Sequence, residues 1–139
     1  MRRRTLLLVT LLLAAPRTAD LAFAGPATAP TTAPTFGNLT ADEFERLAAD
    51  KTKVILDVRT PREYAAGHIA GSVNIDVNAP DFDQRIAALT PDKTYLVYCA
   101  TGRRSVTACT RLVARSLPHC QNLLGGIRAW ETAGKPTEK

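Results

Sequence analysis

Hydrophobic and polar positions between residues 37 and 137 alternate between short apolar runs and longer amphipathic segments. Residues 53–58 are apolar and β-branched without polar alternation, which predicts a strand buried on both faces, and a second strand is predicted at residues 94–98. Shorter strands are predicted at residues 72–75 and 120–123. These four segments are the predicted sheet.

Helices are predicted between these strands. Thr40 and Glu43 have the spacing of a capping box, which predicts a helix from Thr40 to about residue 49. Pro61 suits the first turn of a short helix that ends near residue 66, because its missing N–H has no partner there. Further helices are predicted at residues 81–89, 105–115 and 126–132. The alternation predicts an α/β fold with a mainly parallel sheet and helices on both faces, whose sites lie at the carboxyl ends of strands.

A secretory signal peptide is predicted over residues 1–24. Arginines at positions 2–4 precede the apolar run at residues 6–15, and residues 22–24 have the small-x-small pattern of a cleavage site before Gly25. The apolar run is shorter than the about 20 residues that a spanning helix needs, so no stable membrane anchor is expected after cleavage. The expected location is periplasmic or secreted.

Residues 25–36 form a leader rich in proline, threonine and alanine, and a single domain is predicted at residues 37–137. The full chain has a net charge of +5, and loss of the four arginines and one aspartate of the signal peptide leaves +2. No basic stripe remains after processing, so we expect no nucleic-acid partner. One short domain without an obvious additional apolar surface is expected to be a monomer.

Cys99 is the candidate nucleophile. It ends a predicted strand, and a short loop with one glycine and two arginines leads from it to the helix predicted at Ser105. The N–H groups of such a loop converge where negative charge is stabilised, which lowers a thiol pKa and favours the nucleophilic thiolate. The two histidines and three cysteines lack the spacing of a zinc site, so no metal is expected.

Three motifs together resemble those of rhodanese-type sulfurtransferases, and the resemblance covers about residues 37 to 136. The motifs are the loop Cys-x-x-Gly-x-Arg-Ser from Cys99, the segment DVRTPREY from Asp57 followed by GHIAGSVNI from Gly67, and LGGIRAW from Leu124. Size, signal peptide and loop length are most similar to small periplasmic rhodaneses of the phage-shock type. The resemblance implies a single rhodanese-like domain without a cofactor that works as a thiosulfate sulfurtransferase.

The resemblance also implies a mechanism, in which Cys99 takes sulfur from a small anionic donor such as thiosulfate and holds it as a persulfide. A thiophilic acceptor, cyanide or a thiol, then removes it. The loop amides and arginines are expected to bind the donor and the transferred sulfur; these residues are Ala100, Thr101, Gly102, Arg103, Arg104 and Ser105. We expect Arg103 to lie nearer the donor and Arg104 to have the more structural role.

Other polar residues are interpreted as framework. Asp57 and Arg59 are expected to form a stabilising network near the floor of the site, and His68 to be a structural histidine rather than a base for Cys99. Cys109, on a predicted apolar stripe of its helix with Val106, and Cys120, in a short strand, are expected in the core. Whether these two cysteines are bridged stays open, because a disulfide requires a Cα separation that the sequence does not show.

Two alternatives to the sulfurtransferase remain. The first is a sulfur-carrying or protein-binding module in which Cys99 relays sulfur to a partner protein and thiosulfate turnover is incidental. The second is a cysteine phosphatase, which places an arginine six residues after its cysteine and usually a histidine before it. Here those positions hold Ser105 and Tyr98, and the loop from Cys99 to Arg104 has six members rather than seven. The loop therefore suits a single added sulfur atom better than a phosphate.

Overall fold

A computed structural model describes residues 35–139, so the predicted signal peptide and all but the last two residues of the predicted leader lie outside the described part. The elements alternate along the chain. The strands are β1 (Gly37–Leu39), β2 (Val54–Asp57), β3 (Val73–Asn74), β4 (Tyr95–Tyr98) and β5 (Cys120–Leu123). The helices are α1 (Ala41–Ala48), α2 (Pro61–Ala66), α3 (Phe82–Ala87), α4 (Arg103–Ala114) and α5 (Gly126–Thr132).

The strands form one sheet in the order β1-β5-β4-β2-β3, and every neighbouring pair is parallel. Successive residues of β4 point to opposite faces, as the pleat requires. Tyr95 and Val97 belong to the core cluster that also contains buried residues of α3 and α4. Leu96 and Tyr98 belong to the cluster that contains buried residues of α1 and α5. The prediction of a mainly parallel α/β sheet with helices on both faces is therefore confirmed.

Strand β1 was not predicted. It has three residues at the edge of the sheet and pairs with β5, with Asn38 opposite Asn122. The Asn122 amide donates a hydrogen bond of 2.9 Å to Asn38 Oδ1 across this pair. Because the sequence Gly-Asn-Leu has no strand-like pattern, its partner rather than its own composition makes it a strand.

Helix α4 also differs from the prediction. It begins at Arg103, two residues before the predicted start, after Gly102 in the left-handed region with φ of 96°. Its buried face is formed by Ser105, Ala108, Cys109 and Leu112. Val106 is 40% exposed, so its predicted place on the apolar stripe with Cys109 is wrong. The early start brings the first turn of α4 into direct contact with the candidate site.

The C-terminal segment is part of the folded domain. Glu138 and His68 exchange two backbone hydrogen bonds of 2.8 Å, and the Trp130 indole N–H donates to the carbonyl of Pro136 at 2.8 Å. Trp130 is buried in the core on the α1 and α5 side of the sheet, as predicted for this helix. No helix within residues 35–139 combines the length and apolarity needed to cross a bilayer.

Candidate active site

Cys99 lies directly after β4, at the carboxyl end of a central strand. In the register of the sheet, Tyr98 is opposite Asp57 at the end of β2, so the two strands deliver their last residues to the same edge. Cys99 is buried, with 1% of the residue exposed, and belongs to the core cluster formed with α3 and α4. The strand-loop-helix arrangement expected from the sequence is therefore present around a buried sulfur.

Hydrogen-bond donors surround this sulfur. The Gly102 N–H donates to Cys99 Sγ at 3.1 Å, and the Ser105 hydroxyl oxygen lies 3.4 Å from Sγ and 3.0 Å from the Gly102 carbonyl. Burial of the thiol opposes ionisation, but hydrogen bonds from the Ser105 hydroxyl and from the N–H groups of Ser105, Thr101 and Gly102 outweigh it. The pKa of Cys99 is consequently lowered. The site favours an anion on sulfur.

The carbonyl groups at the start of the loop point away from the sulfur and bind α5. Ile127 N–H donates to the Cys99 carbonyl at 2.8 Å, and Arg128 N–H donates to the Ala100 carbonyl at 3.2 Å. Gly126 packs directly on this part of the loop, and a Cβ there would lie 2.4 Å from the Cys99 carbonyl oxygen. Because the otherwise unpaired N–H groups of α5 hold the loop carbonyls, the loop keeps its N–H groups turned toward sulfur.

Arg104 is held by a partner that sequence reasoning did not identify. Its guanidinium makes two hydrogen bonds to the Glu63 carboxylate, at 2.9 and 2.7 Å, in a side-by-side arrangement. These bonds are the main cause that lowers the pKa of Glu63 to about 2, and they raise the pKa of Arg104. The Thr60-x-x-Glu63 spacing could have indicated the helix cap, but no local signal links Glu63 to a residue 41 positions away.

Arg103 is exposed beside the loop. An open depression of about 400 Å³ is lined by Thr101, Arg103, Arg104 and Thr107. Its lining is largely polar and carries two guanidinium groups, which suits an anionic molecule. Of the predicted loop residues, Thr101, Gly102 and Ser105 donate hydrogen bonds to the thiol, and Thr101, Arg103 and Arg104 line the depression together with Thr107, which the sequence did not suggest. The carbonyl of Ala100 binds α5 instead.

Asp57 and Arg59 form a buried ion pair below the site. The Asp57 carboxylate accepts the Arg59 backbone N–H at 2.9 Å and the side-chain Nη2 at 2.6 Å, and Asp57 is 0% exposed. Arg59 also donates to the Gly67 carbonyl at 2.7 Å, which connects this pair to the segment after α2. The guanidinium lies 5.6 Å from the centre of the Tyr98 ring. These contacts describe a framework under the strand ends rather than a contact with the thiol.

His68 makes its contacts within the same framework. Its ring stacks on Tyr64 with 3.8 Å between centroids, Nδ1 lies 3.0 Å from the Tyr64 carbonyl, and Nε2 lies 3.5 Å from the Glu138 carboxylate. The residue after His68 is held as well, because the Ile69 N–H donates to the Tyr98 hydroxyl at 3.0 Å. Both ring nitrogens of His68 thus have neighbours other than Cys99, in keeping with a structural role.

Cys109 and Cys120 are free and buried in the same core cluster as Cys99. The interaction between these neighbouring thiols raises the pKa of Cys109 and lowers that of Cys120, and Cys120 Sγ donates to the Leu117 carbonyl at 3.2 Å. Between residues 35 and 139, no group of three or more histidine, cysteine or acidic side chains could hold a metal ion. The pair packs in the core, as expected for these two cysteines.

Comparisons with known proteins agree with this architecture. The model of the rhodanese-like domain family matches residues 40–133. A sulfurtransferase of Allochromatium vinosum is 33% identical over 92 residues, which cover 66% of this chain and 84% of the relative. The thiosulfate sulfurtransferase GlpE of Pseudomonas fluorescens is 34% identical over 98 residues, covering 65% and 87%. The crystal structure of a rhodanese-related protein from Thermoplasma volcanium superimposes with a TM-score of 0.64 at 30% identity, covering 74% of this chain and 98% of that one. The chain therefore belongs to the rhodanese-like domain family and is a rhodanese-type sulfurtransferase.

Proposed function

We propose that the protein is a thiosulfate sulfurtransferase that works through a persulfide on Cys99 and delivers the sulfur to cyanide or a thiol. The observation that carries this proposal is the set of N–H groups and the Ser105 hydroxyl around Cys99 Sγ. Such donors stabilise one negative charge on sulfur both before and after the transfer. The name of the Pseudomonas relative, a thiosulfate sulfurtransferase, supports the choice of donor.

The reaction has two displacements. In the first, the Cys99 thiolate attacks the outer sulfur of thiosulfate; the new S–S bond forms as the bond to the SO₃ group breaks, and sulfite leaves with that electron pair. In the second, cyanide or a thiolate attacks the terminal sulfur of the persulfide, and the Cys99 thiolate is regenerated as the leaving group. In each step one bond forms and one breaks, and the electron pair of the broken bond stays with the leaving group, so neither step needs an added oxidant or reductant. Dividing the transfer through a covalent intermediate is nucleophilic catalysis.

The surroundings of the thiol favour sulfur transfer over phosphate chemistry. The residue six positions after Cys99 is Ser105, and its hydroxyl lies at the sulfur, where the phosphatase loop would supply a guanidinium. Arg104 is directed to Glu63 instead. Anchoring of the anionic donor therefore falls to Arg103 and to the N–H groups of the loop.

The test is the intact mass of the purified protein after incubation with thiosulfate. A gain of one sulfur atom, removed again by cyanide with release of thiocyanate, is the expected result. Cys99→Ser should show neither the mass gain nor turnover, whereas Cys109→Ser, which alters a buried cysteine of the same core, should show both. Absence of the added sulfur from the wild-type protein, or its presence in Cys99→Ser, would overturn the mechanism.

We also infer that the protein is exported and acts as a monomer outside the cytoplasm. Export is supported by the sequence of residues 1–24, with its arginines, short apolar run and small-x-small site. The monomer is inferred from the single short domain, which has no obvious additional apolar surface. The mass of protein isolated from its native cell envelope should correspond to a chain that begins at Gly25. Size-exclusion chromatography should give the apparent mass of one chain. A full-length chain recovered from the cytoplasm, or a stable dimer, would contradict this.

A further inference from the structure

Glu63 has two tasks at once. Within α2 it completes the capping box: Oε2 accepts the Thr60 N–H at 3.0 Å and the Thr60 hydroxyl at 2.9 Å. Outside α2 its two carboxylate oxygens accept the Arg104 guanidinium at 2.9 and 2.7 Å. One carboxylate therefore joins the start of α2, the helix that follows β2, to the first turn of α4, the helix that follows the thiol loop.

The second task divides the two neighbouring arginines. Arg103 and Arg104 line the same depression beside Thr101, yet only Arg104 is paired with an acidic side chain. Within residues 35–139, Arg103 has no ion-pair partner. A carboxylate bound side by side to a guanidinium uses two of its five donors and neutralises its charge. The depression consequently presents one uncompensated positive charge to an anion instead of two.

We propose that Glu63 is a positioning residue for the sulfur donor: it withholds Arg104 from the donor, so that Arg103 alone supplies the guanidinium that binds it. The proposal rests on the function proposed above, because it concerns an anionic donor at the same site. It identifies a residue outside the loop that sets how many positive charges the donor meets. A weakly charged cradle also allows sulfite, the anionic product, to leave after each transfer.

The partition of roles is tested first on the arginines. Arg103→Met should raise the KM for thiosulfate about tenfold, the effect of losing one charge-assisted hydrogen-bonding group, whereas Arg104→Met should raise it less than about threefold. Methionine retains much of the apolar stem of arginine, which limits the packing loss to a similar amount in both variants. This pair of variants leaves the cap of α2 intact.

Glu63→Gln then tests whether Glu63 keeps Arg104 from binding the donor. The neutral amide no longer balances Arg104, so this guanidinium becomes available to the donor, and the KM for thiosulfate should fall about threefold with a steeper dependence on salt. In the double variant Glu63→Gln/Arg104→Met, this decrease in the KM for thiosulfate should disappear. Thr60→Ala removes the two hydrogen bonds of the Thr60 hydroxyl in the cap but leaves the ion pair of Glu63 with Arg104, and its KM should stay at the wild-type value. Because the oxygen of a glutamine amide can accept the same capping hydrogen bonds, a role of Glu63 in the cap alone predicts a wild-type KM for Glu63→Gln.

Two results would overturn the proposal. One is an Arg104→Met variant that raises the KM as much as Arg103→Met, and the other is a Glu63→Gln variant whose KM equals or exceeds that of the wild type. These failures differ from failure of the proposed function, since that would appear as a wild-type protein that gains no sulfur from thiosulfate. If Glu63→Gln does not fold, the comparison of the two arginine variants decides the matter.

Discussion

Substitution of Gly126 by alanine tests whether contact with α5 shapes the thiol loop. Gly126 has a φ of +61°, and a Cβ on it would lie 2.4 Å from the Cys99 carbonyl oxygen and 2.6 Å from the carbonyl carbon of Ala100. Carbon and oxygen atoms normally approach to about 3.3 Å, so the loop must retreat by about 1 Å. This movement weakens the Ile127 N–H bond to the Cys99 carbonyl and turns the N–H groups away from sulfur.

The magnitude has two parts. Alanine in the left-handed region costs about 1–2 kcal/mol, and overpacking against the loop adds about 1–3 kcal/mol. A displacement of about 1 Å at a reacting group can reduce the rate about 100-fold. We therefore expect Gly126→Ala to lose roughly 2–5 kcal/mol of unfolding free energy and to transfer sulfur at about one hundredth of the wild-type rate.

Gly134→Ala is the matched control. Gly134 has a φ of +73°, but nothing lies within 4 Å of a Cβ built on it, so this variant should lose only the backbone contribution and retain the wild-type turnover. The assays are urea unfolding and thiocyanate formation from thiosulfate and cyanide. If Gly126→Ala turns over as fast as Gly134→Ala, the contact between α5 and the loop does not organise the site.

Further predictions concern charge. The rate of Cys99 alkylation by iodoacetamide, measured against pH, should show that the thiol ionises at a pH below the usual thiol pKa. Ser105→Ala should shift this pH profile upward, and an unchanged profile would contradict the role of the hydroxyl. Asp57→Ala leaves a buried guanidinium unpaired and should cost about 3–5 kcal/mol by urea unfolding, so a loss below about 1 kcal/mol would refute the pairing. The pKa of Glu63 is lowered from 4.5 to about 2, so its stabilising effect is complete above pH 4.5 and lost as the pH falls toward 2. The stability difference between Arg104→Ala and wild type should shrink over that range, and a constant difference would argue against the ion pair.

Local sequence was sufficient for most elements because their signals lie within a few residues of each other. The capping box at Thr40, the proline at the first turn of α2 and the unbroken apolar run of β4 each specify an element by neighbouring side chains and backbone groups. Strand β5 and helix α5 occur at the predicted positions. Since α/β alternation permits few arrangements, these local features were enough for the parallel sheet and for Cys99 at a strand end.

Local sequence does not predict elements that depend on a partner far along the chain. Three-residue β1 is a strand because β5 pairs with it, and α4 begins at Arg103 because Gly102 adopts the left-handed conformation against the segment around Gly125. No periodic pattern records either contact. The exposure of Val106 likewise follows from how α4 is rotated on the sheet, which the apolar pattern alone placed incorrectly.

The site shows the same division. The thiol, the glycine and the two arginines are contiguous, so a single stretch of sequence identified them and the charge they favour. Their geometry comes from residues far along the chain: α5 binds the loop carbonyls from 28 positions away, and Glu63 binds Arg104 from 41 positions away. The local sequence therefore identifies the groups that carry out the chemistry. The direction of each N–H group and the partner of each charge are set only when the folded sheet brings separate helices to one edge, because hydrogen bonds and ion pairs act over a few ångströms of space and not along the chain.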